Sequence, residues 1–250
     1  QMTAIYHRFV GERSAMADLA YEARRLIMQT TMAGETNQLG HRLTALADRN
    51  RGSRDFTLPI LVRAIRETIA CFPVYRTYVR DEAGEVSARD GAYIARAIAE
   101  AQRRNPQMSS SVFDFLRDLL VLRVPGSSED PTEWRDFVAR FQQATGPVMA
   151  KGVEDNAFYR SHRLVSLNEV GGDPARFGEA VAAFHGRNAT RRGRWPGSLL
   201  ATSTHDTKRG EDVRARLAVL SELHDEWTAT VRRWHDTAPV PDGALAHLLW

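Results

Sequence analysis

Ser198-Leu-Leu-Ala-Thr-Ser-Thr-His-Asp-Thr-Lys-Arg209 decides how the fold is read. Leu199, Leu200 and Ala201 make a short apolar run of strand length, and Gly210 closes the loop that follows. Glu211 and Asp212 then fall in the first turn of the next helix, where carboxylates complement the helix dipole. A strand that delivers polar residues to a loop ahead of a helix is a βα unit. In barrels of such units the active groups sit at the C-terminal ends of the strands. His205, Asp206, Lys208 and Arg209 supply an imidazole, a carboxylate, an ammonium and a guanidinium within five residues. Spacing alone leaves a plainer role open, in which Asp206 caps the helix and His205 packs.

Two further segments read as strands. Phe72-Pro-Val-Tyr-Arg-Thr-Tyr-Val79 is rich in β-branched and aromatic residues, and Pro147-Val-Met-Ala150 is a short apolar run. Helical patterns follow the three candidates, over 90–104, 174–185 and 211–235, with Asp173 as an N-cap and Pro174 at the first helical position. Strands alternating with long helices predict an α/β fold with a parallel sheet or barrel. After the second candidate comes Lys151-Gly-Val-Glu-Asp-Asn-Ala-Phe-Tyr-Arg160. Its adjacent carboxylates, Glu154 and Asp155, beside Lys151 and Tyr159 can bind several hydroxyl groups or form a buried ion-pair network.

Outward from these blocks, the first 145 residues are mostly helix. Apolar side chains recur at three-and-four spacing through 12–33, through Leu39, Leu43 and Leu46, and through Leu58 to Ile69. The period returns around Tyr93 to Ile98, Phe113 to Leu120 and Trp134 to Phe141. Breakers punctuate them at Gly52-Ser53, Pro73, Gly84, Asn105-Pro106 and Pro125-Gly-Ser-Ser128.

Composition narrows the function classes. The 250 residues are 43% hydrophobic and 26% charged, with a formal charge of +3. Basic and acidic residues are interleaved, the pattern of solvated helix faces rather than of a nucleic-acid stripe. The cluster from Arg187 to Arg194 reads as a surface loop. Cys71 is the sole cysteine, so no internal disulfide forms, a reducing compartment is expected, and the thiol acts as a small buried hydrophobe. No apolar run is long enough to span a membrane. Walker loops, dinucleotide glycine fingerprints, zinc-ligand spacings and serine-hydrolase elbows are absent from the sequence. Only two of the 34 Lys and Arg residues are lysines, Lys151 and Lys208, and each sits in a polar, motif-like stretch. A site shaped around a compact ammonium does not accept a guanidinium fork, so the two lysines mark where chemistry is expected. The chain starts at Gln1 and ends in an apolar helical stretch, Ala244 to Trp250, from which a piece of a longer protein is expected.

Four blocks carry a family resemblance: Phe72-Pro-Val-Tyr-Arg-Thr-Tyr78, Met149-Ala-Lys-Gly-Val-Glu-Asp-Asn-Ala-Phe-Tyr159, Ser166-Leu-Asn-Glu-Val-Gly-Gly-Asp-Pro174, and Ser198 through Arg216. In this order they resemble the maltooligosyltrehalose synthases of the α-amylase superfamily of glycoside hydrolases, over nearly the whole chain. Asn156 departs from the threonine expected there. The resemblance implies a helix-rich α/β chain, the C-terminal part of an incomplete (β/α)8 barrel with a large inserted helical region. Residues 1–71 and 80–146 would be the insertion, 72–79 a barrel strand, and 147–250 the βα units with the His-Asp motif.

The same resemblance implies an intramolecular transglucosylation. The reducing-end α-1,4 bond of a maltooligosaccharide becomes an α,α-1,1 bond, with no metal or organic cofactor, in the cytoplasm. Retaining enzymes of this kind use a nucleophilic carboxylate and an acid about 5 Å apart. By resemblance Asp206 is a third carboxylate that stabilises the transition state, and His205 binds hydroxyls beside it. Lys151, Tyr159, Lys208 and Arg209 are the further candidates for gripping substrate. No segment here matches the family's nucleophile or general acid, so the chain by itself is expected to be inactive. No nucleic-acid or membrane partner is expected, and the oligomeric state is left open. An amylase-like hydrolase and a non-catalytic helical interaction module are the alternatives.

Overall fold

The computed structural model describes residues 1–11, 15–80, 86–123, 131–243 and 246–247. The expected breaks at Gly84 and Pro125–Ser128, and all but Ala246 and His247 of the C-terminal apolar stretch, lie outside them. The helices are α1 (Met2–Val10), α2 (Met16–Gln29), α3 (Ala33–Asp48), α4 (Leu58–Ala70), α5 (Ala88–Arg104), α6 (Ser110–Leu120) and α7 (Pro131–Met149). A π-helix (Ala150–Ala157) and a single turn, α8 (Phe158–Arg160), follow. A 3₁₀ turn (Val165–Leu167) then precedes α9 (Val181–Arg194), α10 (Glu211–Val219) and α11 (His224–Thr237). The chain divides into two compact units, residues 20–156 and residues 1–19 with 157–250.

The first unit, residues 20–156, is the helical region that the periodicity indicated. Its apolar stripes converge on Leu43, Leu61, Ile65, Phe113, Phe137 and Phe141, all fully buried. Gly40 permits a close approach of α3 to α4, because a Cβ there would lie 2.2 Å from Cγ2 of Val62 on α4. Ser87 and Ser109 cap α5 and α6 by accepting the N–H of Asp90 and Ser111. One polar knot sits inside: Glu67, only 2% exposed, accepts hydrogen bonds from the Tyr21 hydroxyl and from Asn105 Nδ2 at 2.9 Å, and pairs with Arg25 at 3.1 Å. Burial pushes the Cys71 thiol up to about 12, so the role as an inert small hydrophobe fits.

The segment expected as a strand at 72–79 forms no ladder: it bends at Pro73–Tyr75 and has no regular structure after that. Thr77 and Val79 face inward while Tyr78 and Arg80 face out, the period-2 alternation of a strand. Side chains replace the missing neighbour strand. Arg24 donates to the carbonyl of Phe72 at 2.7 Å, and the Gln142 amide both accepts from the N–H of Val79 at 2.7 Å and donates to its carbonyl at 3.2 Å. Burial brings the Arg24 guanidinium down to about 10.

Four sequence expectations are corrected. Residues 147–150 are helical rather than a strand: α7 runs through Pro147 and opens into the π-helix. Residues 198–203 have no regular structure, and no strand forms among the described residues. A strand is held by its ladder partners, and none is present for these segments. The Arg187–Arg194 cluster is not a loop but the last turns of α9, where the cations complement the dipole. That helix also starts at Val181 rather than 174, because Asp173 uses its carboxylate and carbonyl to close a turn on Ala175 and Arg176.

The second unit has a small core of Met2, Tyr6, Phe158, Leu164 and Val231. His162 and His247 pack beside Tyr6, their ring centroids 5.3 Å apart, with Trp227 edge-on to His247 at 5.9 Å. Burial, and secondarily the neighbouring His162, pushes His247 down to about 4. The folded state therefore disfavours the imidazolium, and stability present above the unfolded value near 6.5 is lost as pH falls toward 4. Thermal unfolding followed at Trp227 should show a loss growing to roughly 3 kcal/mol across that window. The part between pH 6.5 and 5 should vanish in His247→Gln; a flat profile in the unaltered chain would contradict the assignment.

Candidate functional site

The His-Asp loop belongs to the second unit and is built by backbone capture. Glu169 stands within the Ser166–Pro174 block, and its Oε1 accepts the backbone N–H of Lys208 at 2.7 Å and that of Val170 at 2.9 Å. The Arg209 N–H adds a further bond, and Arg214 Nε lies 3.8 Å from Oε2. Burial alone would raise this carboxylate, but the three amides together with Arg214 hold it below its usual range. Its neighbour Asn168 is buried and donates from Nδ2 to the carbonyls of Phe158 at 2.7 Å and Ser161 at 2.8 Å. Two adjacent side chains thus tie the segment bearing Tyr159 to the loop bearing Asp206.

Within the loop, Thr207 Oγ1 donates to the carbonyl of Thr204 at 2.8 Å, and the Asp206 N–H donates to Thr204 Oγ1 at 3.4 Å. Ser203 donates to Glu211, and Arg214 donates to the carbonyl of Thr202, so the first turns of α10 hold the segment before the loop. Gly210 is the N-cap of α10 and no side chain caps it. The capping role left open for Asp206 is therefore not taken. Its side chain is 68% exposed, with Oδ2 3.3 Å from Nε2 of His205, which is itself 90% exposed. A carboxylate and an imidazole displayed together on a rigidly held loop can accept and donate to hydroxyl groups.

The remaining sequence candidates are placed as follows. Tyr159 is exposed on α8. Arg209 lines a cavity of about 220 Å³ with His162, Trp227 and His247. Lys208 is half-buried and anchored through its own amide. Lys151 belongs to the first unit, on the π-helix, where it pairs with Asp155 at 2.8 Å. Glu154 on the same helix turns the other way, 6% exposed, and accepts from the Tyr75 hydroxyl. The π-helix meets α2 at Gly152, where a Cβ would lie 2.8 Å from the Arg24 Cα. Of the two readings left open for this block, one carboxylate is buried on a tyrosine and the other stays at the surface with the lysine.

Sequence reasoning missed Glu169 and Arg214 as the hold on the His-Asp loop, and Tyr75 as the partner of Glu154. A lone acid between an apolar turn and two glycines was the available signal for Glu169. Among the described residues no group of three or more His, Cys, Asp or Glu side chains converges as metal ligands do. No described helix is long and apolar enough to cross a membrane.

Removing the Glu169 carboxylate should free the loop while leaving the helices in place. In Glu169→Ala, amide hydrogen exchange at Lys208 and Arg209 should accelerate by about 10–100-fold, the equivalent of one or two charge-assisted hydrogen bonds. Unchanged protection at both amides would contradict the role given to Glu169.

No family model matches the chain. A putative maltooligosyl trehalose synthase of Mycobacterium tuberculosis (strain H37Rv) is 39% identical over 220 residues, 88% of this chain and 25% of that relative. The maltooligosyltrehalose synthase structure from Arthrobacter ramosus matches all of this chain on 29% of its own length, with TM-score 0.81 at 32% identity. A hypothetical maltooligosyl trehalose synthase of Sulfolobus tokodaii matches 99% of this chain on 28% of its own, with TM-score 0.70 at 27% identity. The chain spans about a quarter of the length of the curated relatives it matches. By sequence over most of its residues and by fold over all of them, the chain belongs to the maltooligosyltrehalose synthase family, as a segment of a full-length member.

Proposed function

We propose that this chain is the part of a maltooligosyltrehalose synthase that supplies the transition-state-stabilising carboxylate, Asp206, in trehalose biosynthesis. The enzyme would act as an isomerase, moving the reducing-end glucose of a maltooligosaccharide from an α-1,4 to an α,α-1,1 bond. The observation that carries this reading is the display of His205 and Asp206 on a loop clamped by Glu169, with neither side chain used as a cap or as core. As the glycosidic bond breaks, positive charge develops on the ring. A carboxylate gripping the ring hydroxyls holds more tightly in that state than in the ground state. His205 would orient a hydroxyl beside it, while Lys208, Arg209, Tyr159 and Lys151 would bind others. The intermediate must meet a sugar hydroxyl rather than water, so the full site has to close around the substrate.

Residues 198–203, with Leu199 at 99% exposure, and 72–79 would be strands of a (β/α)8 barrel completed by the rest of a full-length protein. Residues 1–71 and 80–146 would be its helical insertion, and the His-Asp units would run from 147 to 250. The nucleophile and general acid would come from outside this segment. A single cysteine accords with a reducing, cytoplasmic setting.

The full-length protein that carries this chain should convert maltopentaose to a non-reducing product, so that reducing ends disappear. Accumulation of reducing sugar would instead indicate hydrolysis. Asp206→Asn in that protein should lower kcat by about 10³-fold or more with the fold intact, and a near-normal rate would eliminate the assigned role. The 250-residue chain alone should give no non-reducing product; appreciable turnover would refute its dependence on outside carboxylates.

A further inference from the structure

The first unit contains a groove of about 690 Å³ bounded by α2, α3, the end of α7 and the π-helix. That volume falls in the range of roughly 300–1,000 Å³ seen for ligand pockets. Its apolar surface comes from Met32, Leu39, Ala144 and Pro147, and its neutral polar groups are the amides of Gln38, Gln143 and Asn156. Its two cations are already engaged, and the Glu35 carboxylate adds a negative charge to the wall. Lys151 pairs with Asp155 at 2.8 Å, and Arg140 holds Asp136 at 2.9 Å. Such a lining suits a neutral ligand better than a phosphate or a carboxylate. Each amide offers both donors and an acceptor, as a ligand made of hydroxyl groups requires.

A second observation points the same way. The Asn156 Oδ1 is buried on the groove wall and has no hydrogen-bond partner among the described residues. A buried acceptor in that state is ordinarily completed by water or by a ligand donor. The π-helix puts it there, with Asn156 next to Asp155 on the groove and Glu154 turned inward to Tyr75. Departures of this kind from α-helical winding are frequent at functional sites.

We propose that this groove is a saccharide subsite, in which Gln38, Gln143 and Asn156 grip hydroxyls of a linear glucan over an apolar floor. The inference rests on the reading of the chain as part of a maltooligosaccharide-converting enzyme, and it assigns to that enzyme binding residues outside the His-Asp loop. Gln38 and Gln143 are solvent-exposed, so their truncation leaves the core untouched. In the full-length protein, Gln143→Ala and Asn156→Ala should each raise KM for maltohexaose by about tenfold with kcat within twofold. Gln38→Ala, the variant furthest from the π-helix in sequence, should do so by a smaller factor. Should Asn156→Ala fail to fold, the two glutamine variants carry the test. Normal turnover with KM unchanged in Gln143→Ala and Gln38→Ala would overturn the groove while leaving the enzymatic reading in place. Absence of any maltooligosaccharide conversion by the unaltered protein would overturn both.

Discussion

Glu169 holds three backbone amides with one carboxylate, and the candidate active loop depends on that contact. Residues 202–209 have no helix or sheet ladder to fix them, so their backbone donors need another partner. An ionised carboxylate receiving amides at 2.7 and 2.9 Å is among the stronger hydrogen-bond arrangements a surface loop can have. It fixes Lys208 and Arg209 through the main chain. Asn168 extends the same hold to the turn around Tyr159. Arg214, one turn into α10, bridges Glu169 and the residues ahead of the His-Asp pair.

The helices of the first unit were largely legible in the sequence because their determinants are local. Leu61, Ile65 and Ile69 recur at four-residue spacing and are buried along one side of α4. Ser87 and Ser109 mark where α5 and α6 begin. Pro147 was misread because proline ordinarily ends or kinks a helix. Here the helix continues past it and widens into a π-helix that packs on α2 through Gly152, a tertiary contact the local sequence does not advertise. The strands failed for the complementary reason. Phe72 to Val79 and Ser198 to Ser203 have strand composition, but strand formation requires a partner that lies elsewhere in the chain or beyond it.

The site was partly legible. His205, Asp206, Lys208 and Arg209 were singled out as a chemical cluster, and the same loop is the one displayed and clamped in the second unit. Its clamp was hidden, because Glu169 lies 39 residues away from Lys208 and no periodicity links them. Lys151 drew attention by being one of two lysines, yet its surroundings came only from the structure: an ion pair with Asp155 at the edge of a groove lined by neutral amides. Large exposed apolar residues, Leu199, Leu200 and Trp195 among them, border the loop in sequence.

The most direct test is a crystal structure of the full-length Asp206→Asn protein soaked with maltopentaose. The account predicts a glucose ring against the His-Asp loop, with the substituted carboxamide and His205 within hydrogen-bond reach of its hydroxyls and the Glu169 clamp unchanged. Sugar bound elsewhere, with no density at this loop, would contradict it.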